Sequence, residues 1–186
     1  MTGRTYSALG IVLKSRNIGE ADKILTVYTK HQGKIRIVAK GVRKISSRKA
    51  GIIDSFSLLK MFLARGRSLD ILAEAQSVER FPLWRKDLDK VSVVYYLGEL
   101  VDKLTPDNQP DEGTFDLLLE FLYKIEKTNE KSLLSGMVVE FEKRLLTIAG
   151  FGIPPQIGDK QEGIDQYIEE ITGKPIKSRK ILRKDD

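Results

Sequence analysis

Nine cations stand in one stretch of the chain with no acid among them. Between Asp22 and Asp54 come Lys23, Lys30, Lys34, Arg36, Lys40, Arg43, Lys44, Arg48 and Lys49. Like charges held this close destabilise a fold slightly. A polyanion relieves the repulsion and releases its own counterions on binding, so a phosphate backbone suits such a run. Lys14 and Arg16 lie upstream, and Arg65 and Arg67 of "RGRS" extend the set. Lys34, Arg36 and Lys40 take alternate positions of "GKIRIVAK"; on a strand their side chains leave the sheet on one side. Arg43, Lys44, Arg48 and Lys49 follow in a loop able to close over a backbone. The competing reading is a solvated loop that happens to be cationic. Rings would add to the site, because unpaired bases stack on them. Tyr28 and Phe62 are the candidates, with core packing the competing role, and the weightier one for Phe62.

Catalysis finds little to work with. The chain has 186 residues, 32 Lys and Arg against 26 Asp and Glu, one histidine and no cysteine. The net charge of +6 permits a polyanionic partner or an anionic membrane surface and proves neither. Without cysteine there are no disulfides, thiolate zinc sites, iron–sulfur clusters or cysteine nucleophiles. His31 falls in an expected hairpin turn, as a solvated residue. Asp70 and Glu74, four apart on an expected strand, could pair on a metal but have no third ligand near them in sequence. "KGVRK" lacks P-loop spacing, and "LARGRSLD" is no nucleophile elbow, having no histidine downstream. No catalytic residue, metal or cofactor is expected. Nor does "MTGRTYSALG" carry an apolar signal region, and no run of 18 apolar residues is present. A cytoplasmic protein without a membrane partner is expected.

The elements that must hold the cations change period once. "ALGIVLKS", "KILTVYTK", "GKIRIVAK", "FSLLKMFLAR" and "LDILAEAQSV" read as five strands, the fourth with a competing helical reading. "HQG" is a short hairpin connection ending at Gly33. Five short strands in this span suit a small barrel or sandwich. After Pro82 the apolar spacing turns helical. Leu88, Val91, Val94, Tyr95, Leu97 (or Gly98) and Val101 form one stripe, stopped by Pro106. "TFDLLLEFLYKIEK" follows the acids of "PDEG", which suit a helix start. "KSLLSGMVVEFEKRLLTIAGFG" ends at Gly150 and Gly152, and a shorter helix ends at Gly173 and Pro175. An α+β chain results: a barrel domain over 1–80 and a small helical bundle over 81–186. Lys174, Lys177, Arg179, Lys180, Arg183 and Lys184 form a second basic cluster.

Gly10 to Lys14, Gly19 to Thr29, Gly33 to Arg43, Asp54 to Leu58 and Arg65 to Leu69 stand in the order and spacing of a known pattern. With "YYLGELVDKL", "FEKRLLTIAGFGIPPQ" and "YIEEITGKPIKSRKIL", nearly the whole chain resembles the RecO family of DNA-repair proteins. The resemblance implies an OB-fold barrel followed by a helical domain. It implies a recombination mediator, not an enzyme, that binds single- and double-stranded DNA and anneals complementary strands. The implied partners are RecR, the C-terminal tail of single-strand DNA-binding protein, and indirectly RecA, at the nucleoid. An acidic tail ending in a bulky apolar residue would meet the third helix, where Phe141 precedes Lys143 and Arg144. The alternative there is that Phe141 and Leu145 are core and Arg144 is solvated.

One departure stands out. Many members carry a four-cysteine zinc module before the last helix, where this chain has only Ile157 to Gln161. Zinc is therefore not expected. Two other functions compete with the mediator: an OB-fold RNA-binding factor with a helical protein-docking domain, and a metal-dependent nuclease. The shortage of clustered Asp, Glu and His argues against the nuclease.

Overall fold

The computed structural model describes residues 4–44, 47, 51–155, 157 and 161–179. Five strands form a closed barrel: β1 (Thr5–Ile18), β2 (Asp22–Thr29), β3 (Gly33–Ala39), β4 (Leu58–Ala64) and β5 (Asp70–Glu79). Their order around the barrel is β1-β2-β3-β5-β4. All neighbours are antiparallel except β3 and β5, which pair in parallel through Ile37–Asp70 and Val38–Ile71. This is the OB-fold barrel with a helical domain after it. The fourth segment is a strand, not a helix.

Alternation along the strands decides the inside. Val12, Leu25, Val27, Ile35, Ile37, Leu59, Met61, Leu63 and Leu72 share one buried cluster. On β3 the apolar Ile35, Ile37 and Ala39 point in while Arg36 points out. Gly10 permits the tightest approach in this interior. A Cβ there would meet Val27 Cγ1 at 2.6 Å. Between Val12 and Lys14 the β1–β2 register shifts at a bulge, which re-aims the second half of β1.

Four helices follow: α1 (Leu88–Leu104), α2 (Glu112–Lys127), α3 (Ser132–Ile148) and α4 (Gln161–Thr172). Asp87 caps α1, its Oδ1 accepting from the N–H of Asp89 at 3.0 Å. Asp111 does the same for α2 through Thr114 N–H at 2.9 Å. The α3 helix unwinds into Gly150 at φ +80°, with Phe151 N–H donating to Leu146 O at 3.0 Å. Phe121 of α2 meets Phe141 of α3 edge to face at 5.2 Å. The expected α1 stripe needs correcting: Leu88 is 82% exposed and Tyr95 faces solvent, while Tyr96 is buried. Tyr96 turns inward because its hydroxyl has carboxylate partners there, Glu142 Oε1 at 2.5 Å and Asp165 Oδ1 at 3.3 Å.

The chain divides into two compact units, Met1–Arg80 with Asp107–Phe115, and Phe81–Pro106 with Asp116–Asp186. The segment between α1 and α2 thus groups with the barrel.

Candidate nucleic-acid interface

Strand register decides which cations share a face. Lys14 of β1 opposes Thr26 of β2, which opposes Arg36 of β3. One row further along, Arg16 opposes Ile24, Ile24 opposes Val38, and Val38 pairs with Ile71 of β5. Opposed residues project on the same side of a sheet. The outer face of β1–β2–β3 therefore presents Lys14, Arg16 and Arg36, all exposed, around the half-buried Val38 and Ile71.

Lys40 comes one residue after β3 ends, in a turn, rather than on the strand as expected. The turn is held by Gly41 N–H donating to Asp22 Oδ1 at 2.7 Å. Arg43 ties that turn to the β1–β2 turn, through its N–H to Ala21 O at 2.9 Å and its guanidinium to Gly19 O at 3.2 Å. Lys40, Arg43 and Lys44 are all exposed. Arg48 and Lys49 lie outside the described residues.

Lys34 needs the largest correction. It is on the same outer face as Arg36, two residues away, yet only 6% exposed. The segment after Pro106 covers it: Asp107 bridges to Lys34, and Asn108 N–H donates to Lys34 O at 2.8 Å. The Lys34 ammonium lies 3.4 Å from Asp107 Oδ1, and Arg36 donates to Asp107 Oδ2 at 2.9 Å. Further along, Glu112 lies 3.0 Å from His31 Nδ1 and 3.8 Å from Lys30 Nζ. Gly33 makes the close passage possible. Its φ is +67°, and a Cβ there would sit 2.0 Å from Gln109 O.

Arg36 and Arg65 border one cleft of about 420 Å³, with Tyr6, Lys34, Asp70 and Asp107. The Arg65 guanidinium lies over the Tyr6 ring at 5.1 Å, and Tyr6 donates its hydroxyl to Asp70 Oδ2 at 2.6 Å. Burial first, and the Asp70 carboxylate second, raise the Tyr6 pKa well above the usual tyrosine value. Asp70 is thus engaged by Tyr6 and by Gly66 N–H at 3.1 Å. Arg67 is exposed in the same β4–β5 turn.

Of the two candidate rings, Tyr28 takes the core role that was open for it, and Phe62 departs from the core packing expected of it. Tyr28 is fully buried, its hydroxyl donating to Asp111 O at 3.4 Å, so no base can stack on it. Phe62 is 41% exposed, because its place on β4 alternates with the inward Met61 and Leu63. Its neighbours across the sheet are Ser7 and Glu74, which makes that face less basic than the one around Arg36.

The residues expected to meet a protein tail divide as well. Phe141 is core, together with Leu145, and offers no surface. Lys143 is half-buried and Arg144 is exposed. Arg144 forks onto both oxygens of Glu120, at 2.9 and 2.8 Å, and reaches Glu140 at 3.3 Å. Those donors, with Lys124, hold the Glu120 carboxyl down to about 2. In the second basic cluster Lys174 and Lys177 are exposed, whereas Arg179 is paired with Asp165 and Glu169. Lys180, Arg183 and Lys184 lie outside the described residues.

A zinc site does not fit this chain. It has no cysteine, and among the described residues no three of His, Cys, Asp and Glu gather to hold an ion. No helix among them is long and apolar enough to cross a membrane.

What sequence reasoning missed is Asp107. Its signal lies in "TPDNQPDEG", an acidic stretch whose Asp107 stands 71 residues after Arg36. The acids of "PDEG" were accounted for by the helix start, which hid the pairing of Glu112 and, just upstream, of Asp107.

Comparison with known proteins fits the barrel and the helices alike. Residues 1–81 match the model described as Recombination protein O N terminal, and 85–156 match Recombination protein O C terminal. The chain is 37% identical over 148 residues to "DNA repair protein RecO" of Pelotomaculum thermopropionicum, covering 80% of this chain and 56% of that protein. It is 40% identical over 147 residues to the protein of that name in Desulforamulus reducens, covering 79% and 56%. Against the one in Gloeothece citriformis it is 37% identical over 154 residues, covering 83% and 54%. The chain spans about half the length of the curated relatives it matches. With the N-terminal and the C-terminal model of one family matched in order along a barrel and a helical unit, the chain belongs to the RecO family.

Proposed function

We propose that this chain is a DNA-binding recombination mediator acting in DNA repair. The outer face of β1–β2–β3 holds phosphodiester backbones, single- or double-stranded, without reading sequence. Phosphate contacts carry no base information. The observation that carries the reading is the shared face of Lys14, Arg16 and Arg36, with Lys40, Arg43 and Lys44 in the adjoining turn. Cations around a half-buried apolar strip suit an unpaired strand, whose phosphates meet charge while its bases and sugars meet Val38 and Ile71. The relatives' name, DNA repair protein, agrees with DNA as the polyanion.

In the same proposal the chain anneals complementary strands, because a basic face screens two backbones that otherwise repel. It works with RecR to load RecA onto DNA coated by single-strand DNA-binding protein. The tail of that protein docks on the helical unit, with Lys143 and Arg144 at the edge of the contact and without Phe141. The setting is the cytoplasm, at the nucleoid. No catalytic residue takes part.

Annealing of two labelled complementary oligonucleotides tests the reading. Wild type should speed annealing at low salt, and Lys14→Glu/Arg16→Glu/Lys40→Glu/Lys44→Glu should not. An RNA oligonucleotide of the same sequence serves as competitor. If it displaces DNA completely at far lower concentration than DNA itself does, the chain is an RNA-binding factor instead.

A further inference from the structure

The first half of the basic run is already answered by acids of the same unit. Two cations, Lys34 and Arg36, converge on the carboxylate of Asp107 at 3.4 and 2.9 Å. Asp107 itself stays partly open, lining the cleft that Arg36 and Arg65 border. Its backbone is seated and not merely nearby. Asn108 donates to Lys34 O, and Gly33 leaves room for Gln109 where any Cβ would clash. An ammonium and a guanidinium aimed at the two oxygens of one anion is also how a phosphate is held.

We propose that Lys34 and Arg36 form a phosphate subsite, which the Asp107 carboxylate occupies until a phosphodiester of nucleic acid takes its place. The inference rests on the nucleic-acid reading above and names a particular subsite within it. The exchange is balanced in charge. A carboxylate and a phosphodiester each carry one negative charge, so the buried ammonium of Lys34 is compensated in both states. Stripping a buried charge of its counter-ion is what such a site must avoid. The internal acid also sets affinity, because the incoming phosphate must compete with a tethered rival, and the competent fraction scales the apparent affinity.

The test is binding of an oligothymidylate, followed against salt, to wild type and to Asp107→Asn. The variant should bind about fivefold more tightly. Its slope of log affinity against log salt should steepen by roughly 0.7, the share of one more phosphate on a single strand. In an Arg36→Gln background the same change should give little gain. A full gain there would mean bulk charge rather than a subsite, and would overturn the proposal. So would equal or weaker binding by folded Asp107→Asn. On the wild-type chain the carboxyl carbon of Asp107 should shift in NMR when oligothymidylate is added, and an unmoved signal counts against the exchange. Wild type that fails to bind at all removes the nucleic-acid reading; wild type that binds, with an indifferent Asp107, removes only the subsite.

Discussion

The two halves of the basic run differ in what balances their charge. From Lys30 to Arg36 the cations face Asp107 and Glu112, and Lys34 is buried against Asp107. Further on, Lys40, Arg43 and Lys44 are exposed in a turn pinned by hydrogen bonds to the Asp22 carboxylate and to the carbonyls of Gly19 and Ala21. In sequence the two halves look alike. A run of one charge sign is therefore not one surface. Part of it can be satisfied by acids the chain brings from far away, and only the remainder is open to a partner at no internal cost.

The largest expected effect separates these halves. Lys14→Glu/Arg16→Glu/Lys40→Glu/Lys44→Glu leaves Lys34, Arg36 and Asp107 intact. It should weaken binding of a single-stranded oligonucleotide by roughly a hundredfold or more and flatten the salt slope by about 0.7 for each phosphate no longer neutralised. Fluorescence anisotropy at several salt concentrations reads both. Next comes Gly33→Ala, which strains a φ of +67° and drives a Cβ into Gln109. It should cost about 1–3 kcal/mol in urea unfolding, and an unchanged midpoint would deny that the segment is seated on β3.

The helical unit supplies the control. Burial pushes the Glu142 carboxyl up to about 7, and its Oε2 has no hydrogen-bond partner among the described residues. A folded pKa above the ordinary 4.5 means that the native state binds more protons than the unfolded chain between those values. Stability should therefore fall as pH rises through that window. Glu142→Gln should flatten this fall in chemical unfolding between about pH 5 and 7.5, without altering oligonucleotide affinity at a fixed pH. If the wild type matches the variant across that range, Glu142 is already ionised when folded. The smallest effect belongs to Arg144→Ala. It removes an exposed fork onto Glu120, for which a loss of under about 1 kcal/mol is expected, with DNA binding unchanged. A clear loss of DNA affinity would extend the interface into the helical unit.

Much of the fold was legible because period and punctuation agreed. All five strands lie on the alternating segments, and α1, α2 and α3 on the helical ones. Leu88 and Tyr95 misled because apolar type was read as burial at every matching position. Tyr96 lay off the stripe but had buried carboxylates to reach. The site was half legible. Alternation separated Arg36 from Ile35 and Ile37, but Lys14 faces outward only because of the bulge after Val12, since strict alternation would set it on the inner side with Val12. Which cations would be covered was not legible, since it depends on a long-range pairing between β3 and Asp107 that no local pattern encodes. Phe62 was misjudged for a related reason, while Tyr28 took the core role left open for it. Alternation tells two faces apart, but not which outer face another segment will cover.

Lysine acetylation with and without a single-stranded oligonucleotide, read residue by residue by mass spectrometry, tests the central claim most directly. The open half of the run and its neighbour on β1 should be protected: Lys14, Lys40 and Lys44 should react several-fold more slowly with DNA bound. Lys124 and Lys143 of the helical unit should keep their rates. Protection confined to Lys174 and Lys177, with Lys14, Lys40 and Lys44 unchanged, would contradict the account and move the DNA to the C-terminal basic cluster.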